Sequence, residues 1–239
     1  MPFFPNICFS NSYFPLEDCI LSRYFLKKDD ILVHGAQIFA GYLADKDLAE
    51  EIEKKGLARK LFTFQFAEDA VRSMFNDYAE LIMQKFVKML TFDAIVGNND
   101  RHFYNWGVIT RLENRKNPTF APIYDTARGL YWNENEEAIL TYLRDPKSIQ
   151  TRISKYIANS KPKTGWEGID DPNHFQLIEK IYQADDRYKG IIFELLKEEN
   201  YRRMACLIDE EFVYLLSKER RKMMALCLEM RWQKLNEII

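Results

Sequence analysis

Apolar residues recur every three or four positions through residues 67–97, and this spacing predicts one long amphipathic helix. The stripe comprises Val71, Met74, Phe75, Tyr78, Ile82, Phe86 and Met89. The helix is expected to end at Gly97, because glycine and the two asparagines that follow it tolerate the positive φ that closes a helix.

The segments before this stripe are predicted to be irregular or to form shorter helices. Residues 1–30 are rich in aromatic residues and prolines and are expected to be irregular, with any strands short. Residues 33–43 and the charged run 45–55 favour two helices separated around Ala44. The charges of the second helix indicate a solvated face.

After the stripe, two apolar runs at 106–110 and 120–124 flank a polar stretch, which predicts a β-hairpin. Residues 159–173 contain prolines and glycines at the spacing of a loop. The remainder is expected to be helical, with a last helix near residues 218–239 capped by Ser217. The predicted fold is therefore mainly α (α+β), a single domain over 1–239 with a small central β-hairpin.

The net charge and the cysteine pattern limit which partners and which cellular compartment are expected. The chain has 239 residues, with 34 Lys and Arg against 36 Asp and Glu, a net charge of −2. Neither direct nucleic-acid binding nor attachment to an anionic membrane is expected from this balance. The four cysteines and three histidines show no zinc-site spacing. With no secretory leader or membrane span visible, a cytoplasmic location is expected.

Three polar residues around the predicted hairpin suggest phosphoryl-transfer chemistry. Asp100 lies on the loop after the long helix, Asn105 comes just before the first strand, and Asp125 follows the second. The hairpin would place Asn105 and Asp125 side by side, where their oxygens could share one metal ion while Asp100 faces a nucleophile. Phosphoryl transfer requires such a carboxylate and such hard oxygen ligands.

Each of these residues taken alone favours a simpler interpretation. Asp and Asn are common in turns and caps, and Asn-Asn-Asp after a helix is typical of a helix stop. The three residues together, in the context of helix, loop and hairpin, favour the chemical interpretation.

Residues 97–107, Gly-Asn-Asn-Asp-Arg-His-Phe-Tyr-Asn-Trp-Gly, resemble the catalytic loop of HipA-type bacterial toxin kinases. The D-R-H-x-x-N arrangement is also similar to that of phosphatidylinositol kinases, and the Asp-to-Asn spacing matches the protein-kinase loop. Residues 124–129, Tyr-Asp-Thr-Ala-Arg-Gly, resemble the HipA-type counterpart of the D-F-G metal loop. Residues 33–40 are similar to the helix that opens the C-terminal lobe. The resemblance extends over most of residues 20–235 and implies a kinase-like C-terminal lobe.

The resemblance also implies roles for individual residues. Asp100 would be the catalytic base, and Asn105 and Asp125 would bind Mg²⁺ on ATP. His102 would fix the loop by hydrogen bonds. Arg101 and Arg128 would either contact phosphate or shape the loop, and the structural role is favoured. The implied function is a toxin-type Ser/Thr protein kinase of a bacterial toxin–antitoxin pair, with ATP and a protein as substrates.

One part of the kinase pattern is not apparent in the sequence. Kinases cover the triphosphate with a glycine-rich loop and a strand lysine, but no such loop is visible here, and Lys27 and Lys28 are expected in a surface turn with Asp29 and Asp30. The N-terminal lobe could be a separate polypeptide, the chain could be a shortened inactive relative, or other groups could hold the phosphates. An antitoxin protein could be a further partner.

Two further functions stay open. The chain could be a pseudokinase that binds a nucleotide or a partner without turnover, which the apparent lack of the lysine and glycine loop favours. A lipid kinase is disfavoured, because no membrane-facing basic or amphipathic segment is visible. Residues 160–166 could meet substrate, but a solvated surface loop is the expectation.

Overall fold

The computed structural model describes residues 24–113 and 117–239. Most of the predicted irregular segment, 1–30, lies outside these residues. Three short strands and eleven α-helices follow one another along the described chain. The strands are β1 (Asp30–His34), β2 (Gly107–Arg111) and β3 (Thr119–Phe120). The helices are α1 (Gly35–Leu43), α2 (Lys46–Lys54), α3 (Ala58–Leu61), α4 (Phe64–Phe75), α5 (Ala79–Val96), α6 (Glu136–Leu143), α7 (Pro146–Asn159), α8 (His174–Ala184), α9 (Asp186–Leu195), α10 (Glu198–Glu210) and α11 (Lys218–Glu237). The mainly helical class is confirmed.

The small sheet contains the predicted hairpin and one additional strand. β2 pairs antiparallel with β1 on one side and with β3 on the other. The second hairpin strand was predicted at 120–124, but β3 covers only Thr119–Phe120. The helix predicted from residue 33 begins instead at Gly35, because Val33 and His34 pair with Val108 and Gly107 of β2. A side chain on Gly107 would meet the Val33 carbonyl oxygen at 2.5 Å, so the close pairing requires glycine there.

The turn before β1 and the break between α1 and α2 agree with the sequence predictions. The backbone N–H of Asp30 donates to the carbonyl of Lys27, and the N–H of Lys27 donates to the carboxylate of Asp30, both at 3.1 Å. Ala44 ends α1 in the left-handed conformation, with φ 54°.

The prediction of a single helix over residues 67–97 is wrong. The segment consists of α4, a 3₁₀ turn at Asn76–Tyr78 and α5. Asn76 has φ 40° and ψ −112°, so the chain changes direction there and the apolar stripe leaves the core. Met74 and Tyr78, on either side of the break, are 42% and 39% exposed. The end of α5 at Gly97 is as predicted.

Helix α5 forms the centre of the core. It packs against α4, α8, α9, α11 and β3. Aromatic rings surround its middle, where Phe86 lies 4.7 Å from Trp106 between ring centroids. The last helix begins as predicted after Ser217, whose hydroxyl accepts a hydrogen bond from the N–H of Arg220 at 3.0 Å. Met223 and Cys227 of α11 are buried in this core.

The predicted loop at 159–173 is present, but its residues 160–166 do not form a solvated surface loop. Ser160 and Thr164 are buried, and Trp166 stacks on Phe64 with a centroid distance of 5.7 Å. A side chain on Gly165 would collide with the backbone of Arg59. The segment therefore packs against α3 and α4.

In the part of the chain that the structure describes, every helix is too short or too polar to cross a lipid bilayer.

Candidate active site

The loop that carries Asp100 leaves the core at the C-terminus of α5. Gly97 ends the helix with φ 70°, and its N–H donates to the Asp93 carbonyl. A side chain at this position would lie 3.0 Å from the guanidinium of Arg231 on α11. Glycine is therefore required both by the positive φ and by the close approach of α11.

A cluster of buried polar side chains supports this loop. Asp93, Asn98 and Arg101 are 1%, 0% and 2% exposed. The Arg101 guanidinium donates two hydrogen bonds to the Asp93 carboxylate, Nε to Oδ2 at 2.8 Å and Nη2 to Oδ1 at 3.0 Å. The Asn98 amide donates to the same carboxylate at 2.9 Å. A bidentate buried pair of this kind fixes both side chains.

Arg101 also joins the two segments that carry the predicted metal ligands. Its Nη1 atom donates to the carbonyl of Asn105 at 2.8 Å and to the carbonyl of Tyr124. The backbones of residues 105 and 124 therefore converge on a single nitrogen atom. Asp125 directly follows Tyr124, so its backbone starts at this point of convergence.

Asp100 is held by its backbone, while its carboxylate points outward. Its N–H donates to the side-chain oxygen of Asn98 at 3.2 Å. Its carbonyl accepts from the Asn105 amide at 2.9 Å and from the His102 N–H at 2.9 Å. The side chain is 21% exposed and forms an ion pair with Arg128, Nε to Oδ2 at 3.1 Å.

Asn105 and Asp125 supply oxygen atoms of the kind that Mg²⁺ prefers. The Asn105 amide nitrogen is engaged by the Asp100 carbonyl, so its orientation is fixed and Oδ1 is the atom suited to a metal. Asp125 is exposed and has φ 52°. No group of three or more His, Cys, Asp or Glu side chains that could hold a metal occurs within 24–113 and 117–239. The pair fits a magnesium ion whose remaining ligands are phosphate oxygens and water, which is its usual form in nucleotide sites.

His102 and Arg128 occupy different positions on the loop. The Nδ1 atom of His102 accepts a hydrogen bond from the Tyr104 N–H at 3.2 Å, so this imidazole helps to close the turn. Arg128 is exposed beside Asp100, and its carbonyl accepts from the Asn99 N–H at 3.2 Å. Arg101 is buried in the loop, whereas Arg128 lies on its surface.

Three residues from distant parts of the sequence form hydrogen bonds to this loop or to the end of α5. Ser160 donates through its hydroxyl to the Gly97 carbonyl at 2.9 Å, and Arg231 donates to the Ala94 carbonyl at 2.8 Å. His174 is 1% exposed and hydrogen-bonds to the backbone of Asn98. Burial holds the pKa of His174 well below its ordinary value, and the nearby charge of Arg231 lowers it further.

An aromatic cluster lies on the sheet side of the loop. The Tyr124 hydroxyl contacts His34 Nδ1 at 3.1 Å and donates to the Tyr104 carbonyl at 3.1 Å. Burial raises the pKa of Tyr124 to about 12, so it remains a hydrogen-bond donor at neutral pH. Phe25 stacks on its ring with a centroid distance of 5.7 Å. This cluster ties β1 to the segment that carries Asp125.

The chain after Arg128 is backbone-strained. Leu130 and Tyr131 have φ 47° and 65°, a conformation that non-glycine residues rarely adopt. The Leu130 N–H donates to the Val96 carbonyl at 2.9 Å, and a side chain on Gly129 would meet that carbonyl at the same distance. Such strain is commonly found at functional sites.

The predicted site residues occupy one region, but sequence reasoning missed its supports. Asp93, Asn98, His174 and Arg231 were not identified. Two of them left a signal in the helical pattern. Asp93 lies among the buried apolar positions of α5, and Arg231 is four residues after Cys227, on the buried face of α11.

Comparison with known proteins found relatives among kinases. No family model matches the chain. "Putative kinase Y4dM" of Sinorhizobium fredii is 33% identical over 64 residues, which are 26% of this chain and 15% of that protein. "Serine/threonine-protein kinase CtkA" of Helicobacter pylori is 27% identical over 127 residues, 53% of this chain and 38% of the relative. The aligned residues thus make up well under half the length of either protein.

A solved structure has the same fold. The crystal structure of the Helicobacter pylori proinflammatory kinase CtkA superposes with a TM-score of 0.71 at 15% sequence identity. The match covers 90% of this chain and 72% of the other. The chain therefore has the fold of a kinase structure and shares low sequence similarity with two proteins named as kinases.

Proposed function

We propose that this chain is the catalytic lobe of a HipA-like Ser/Thr protein kinase, which transfers the γ-phosphoryl group of Mg·ATP to a protein hydroxyl. The observation that carries the proposal is the convergence of the end of α5 and two loop segments on Arg101. This one buried guanidinium binds Asp93 below Asp100, the carbonyl of Asn105 and the carbonyl before Asp125. This convergence supports the assignment of Asp100 as the base and of Asn105 and Asp125 as oxygen ligands, because it brings together the segments that carry them.

Each residue has a distinct task in the proposed reaction. Asp100 accepts the proton of the acceptor hydroxyl as that oxygen forms a bond to the γ-phosphorus. The bond from the γ-phosphorus to the bridging oxygen breaks, and ADP leaves. Asn105 and Asp125 would hold Mg²⁺, which when bound neutralises charge on the phosphates. The Asn105 amide also restrains the Asp100 carbonyl, so the base and one ligand move as a unit.

The relatives support the general class. Both curated relatives are named as kinases, and one is named as a serine/threonine kinase. The toxin-type role, the bacterial cytoplasm and a separate N-terminal lobe or antitoxin partner are further parts of the proposal. They rest on the resemblance of residues 97–107 and 124–129 to HipA-type kinases.

Replacement of the proposed base tests the function directly. Asp100→Asn keeps the size of the side chain but removes the charge, so phosphate transfer from radiolabelled ATP to a general protein acceptor should fall at least about 100-fold. The matched control is Asp77→Asn, an exposed carboxylate in the 3₁₀ turn, which should retain full activity. Equal activity in the two variants would contradict the assignment of Asp100.

The pseudokinase alternative is favoured by one specific contact. The Asp100 carboxylate is already paired with Arg128, which would oppose its action as a base. Under this alternative the wild-type chain binds Mg·ATP in calorimetry but shows no transfer in the same assay. Transfer that is lost in Asp100→Asn excludes it.

A further inference from the structure

A cavity of about 300 Å³ lies beside the proposed catalytic loop. One wall is formed by Asn99, the residue directly before Asp100, together with Tyr131 and Trp132. The opposite wall is formed by α7, including Arg152, Lys155 and Asn159. None of the roles assigned above uses this cavity.

The charged groups that line the cavity favour an anion. Arg152 and Lys155 are three residues apart on α7, and therefore project from the same side of the helix. The Arg152 guanidinium lies 4.7 Å from the centroid of the Tyr142 ring, which holds it in place. Glu134 is the acidic residue of the lining, and its carboxylate accepts a hydrogen bond from the Tyr142 hydroxyl at 3.2 Å. The lining thus carries two positive charges and one negative charge, and the carboxylate that bears the negative charge already has a hydrogen-bond partner.

Arg128 connects the cavity to Asp100. Its Nε atom lies 3.1 Å from the Asp100 carboxylate, and its guanidinium lies 5.1 Å from the centroid of the Trp132 ring. The distance from the proposed base to the cavity wall is therefore spanned by one side chain. An extended peptide advances about 3.3–3.6 Å per residue, so a residue two or three positions from the acceptor would reach the cavity.

We propose that this cavity is a substrate subsite, which binds an anionic side chain two or three residues from the Ser or Thr that is phosphorylated. The proposal rests on the proposed function and adds a substrate class to it. The planar fork of Arg152 suits a carboxylate or a phosphate, and Lys155 adds a second charge. The amides of Asn99 and Asn159 supply neutral donors in the lining of the cavity. A bound anion would also compete with Asp100 for Arg128, and so free the base.

A peptide array tests the subsite by binding and by transfer. Peptides carry one Ser or Thr, and each neighbouring position is occupied in turn by Asp, Glu, phosphoserine, Ala or Lys. Binding of the wild-type chain to the fluorescently labelled peptides is measured by anisotropy, and phosphate transfer is measured on the same peptides. We expect tighter binding of peptides with an anionic residue at a fixed offset of two or three. The Asp, Glu and phosphoserine arms show which anion is preferred.

The double variant Arg152→Ala/Lys155→Ala should lose this preference. Binding of the anionic peptides should weaken about fivefold, since each exposed ion pair is individually modest, while binding of the Ala peptides stays unchanged. The control Lys60→Ala/Lys147→Ala removes the same charge from exposed positions outside the cavity lining and should keep the preference.

The two readouts separate this inference from the proposed function. An anionic preference in binding that disappears in Arg152→Ala/Lys155→Ala supports the subsite even if no transfer occurs, in which case the kinase assignment fails alone. Binding without an anionic preference, or a preference that survives the double variant, overturns the subsite whether or not phosphate is transferred.

Discussion

Arg101 is the residue on which the geometry of the proposed site depends. Both it and Asp93 are almost fully buried, and each satisfies the charge of the other. Removing one member of such a pair leaves an uncompensated charge in the interior, which costs far more than the net contribution of the intact pair. The structural requirement for Arg101 is therefore separable from any contact with phosphate.

We expect Arg101→Met to lower the free energy of unfolding by about 3–5 kcal/mol, because Asp93 would be left buried and unpaired. The double variant Asp93→Leu/Arg101→Met should recover part of this loss, since both charges are absent. Urea unfolding of the two variants measures the difference. A single variant as stable as the double variant would show that the Asp93 charge is not buried as described.

His174 makes stability depend on pH. Its pKa is held below 6.5 in the folded chain by burial, whereas it takes its ordinary value in the unfolded chain. Above about pH 6.5 neither state binds the proton, so this residue has no effect there. As the pH falls below that value the unfolded state gains a proton that the folded state does not, and stability falls.

We expect the wild-type chain to lose about 1 kcal/mol more than His174→Gln between pH 7.5 and pH 5.5, because over this range the unfolded state takes up a proton that the folded state does not. Urea unfolding at both pH values gives the comparison, and any constant cost of the glutamine cancels. Parallel losses in the two proteins would show that His174 is protonated in the folded state.

Among the elements, the short connection between α1 and α2 contains a suboptimal residue. Ala44 ends α1 with φ 54° and ψ 27°, and it is exposed. The left-handed conformation costs a residue with a Cβ atom about 1 kcal/mol relative to glycine. We expect Ala44→Gly to raise the free energy of unfolding by about that amount. Ala205→Gly, within α10, should lower it by about 1 kcal/mol. A decrease in both variants would mean that Ala44 is not in this conformation.

Predictability from the sequence differs between elements for physical reasons. The C-terminus of α5 and the N-terminus of α11 were predicted because Gly97 and Ser217 act through local backbone chemistry. The strand β1 was missed because its partner β2 is more than 70 residues away, and short apolar runs do not distinguish a strand from a helix. The break at Asn76 was missed because the apolar spacing continues through it. The three polar residues proposed for catalysis were visible as a pattern, whereas their supports come from α8, α11 and the loop after α7.

Across the whole molecule, the C-terminal helix braces the proposed catalytic loop. Arg231 of α11 is fully buried, lies against Gly97 and donates to the Ala94 carbonyl. Its Nη1 and Nη2 atoms have no hydrogen-bond partner among the described residues. Burial lowers the pKa of its guanidinium, and the Phe175 ring lies 5.1 Å from it. Burying the charge of Arg231 in this position lowers the free energy of unfolding. The contribution of this residue therefore lies in positioning the loop.

We therefore expect Arg231→Met to separate stability from function. Methionine fills a similar volume without a charge, so the free energy of unfolding should be unchanged or should rise by about 1–3 kcal/mol. Loss of the bond to Ala94 and of the contact with Gly97 releases the end of α5, so phosphate transfer should fall about tenfold through kcat. Urea unfolding and steady-state kinetics of the same preparation measure both effects, with Lys222→Met on the first half of α11 as the control. A variant that loses stability and activity together would show that Arg231 supports the core rather than the loop.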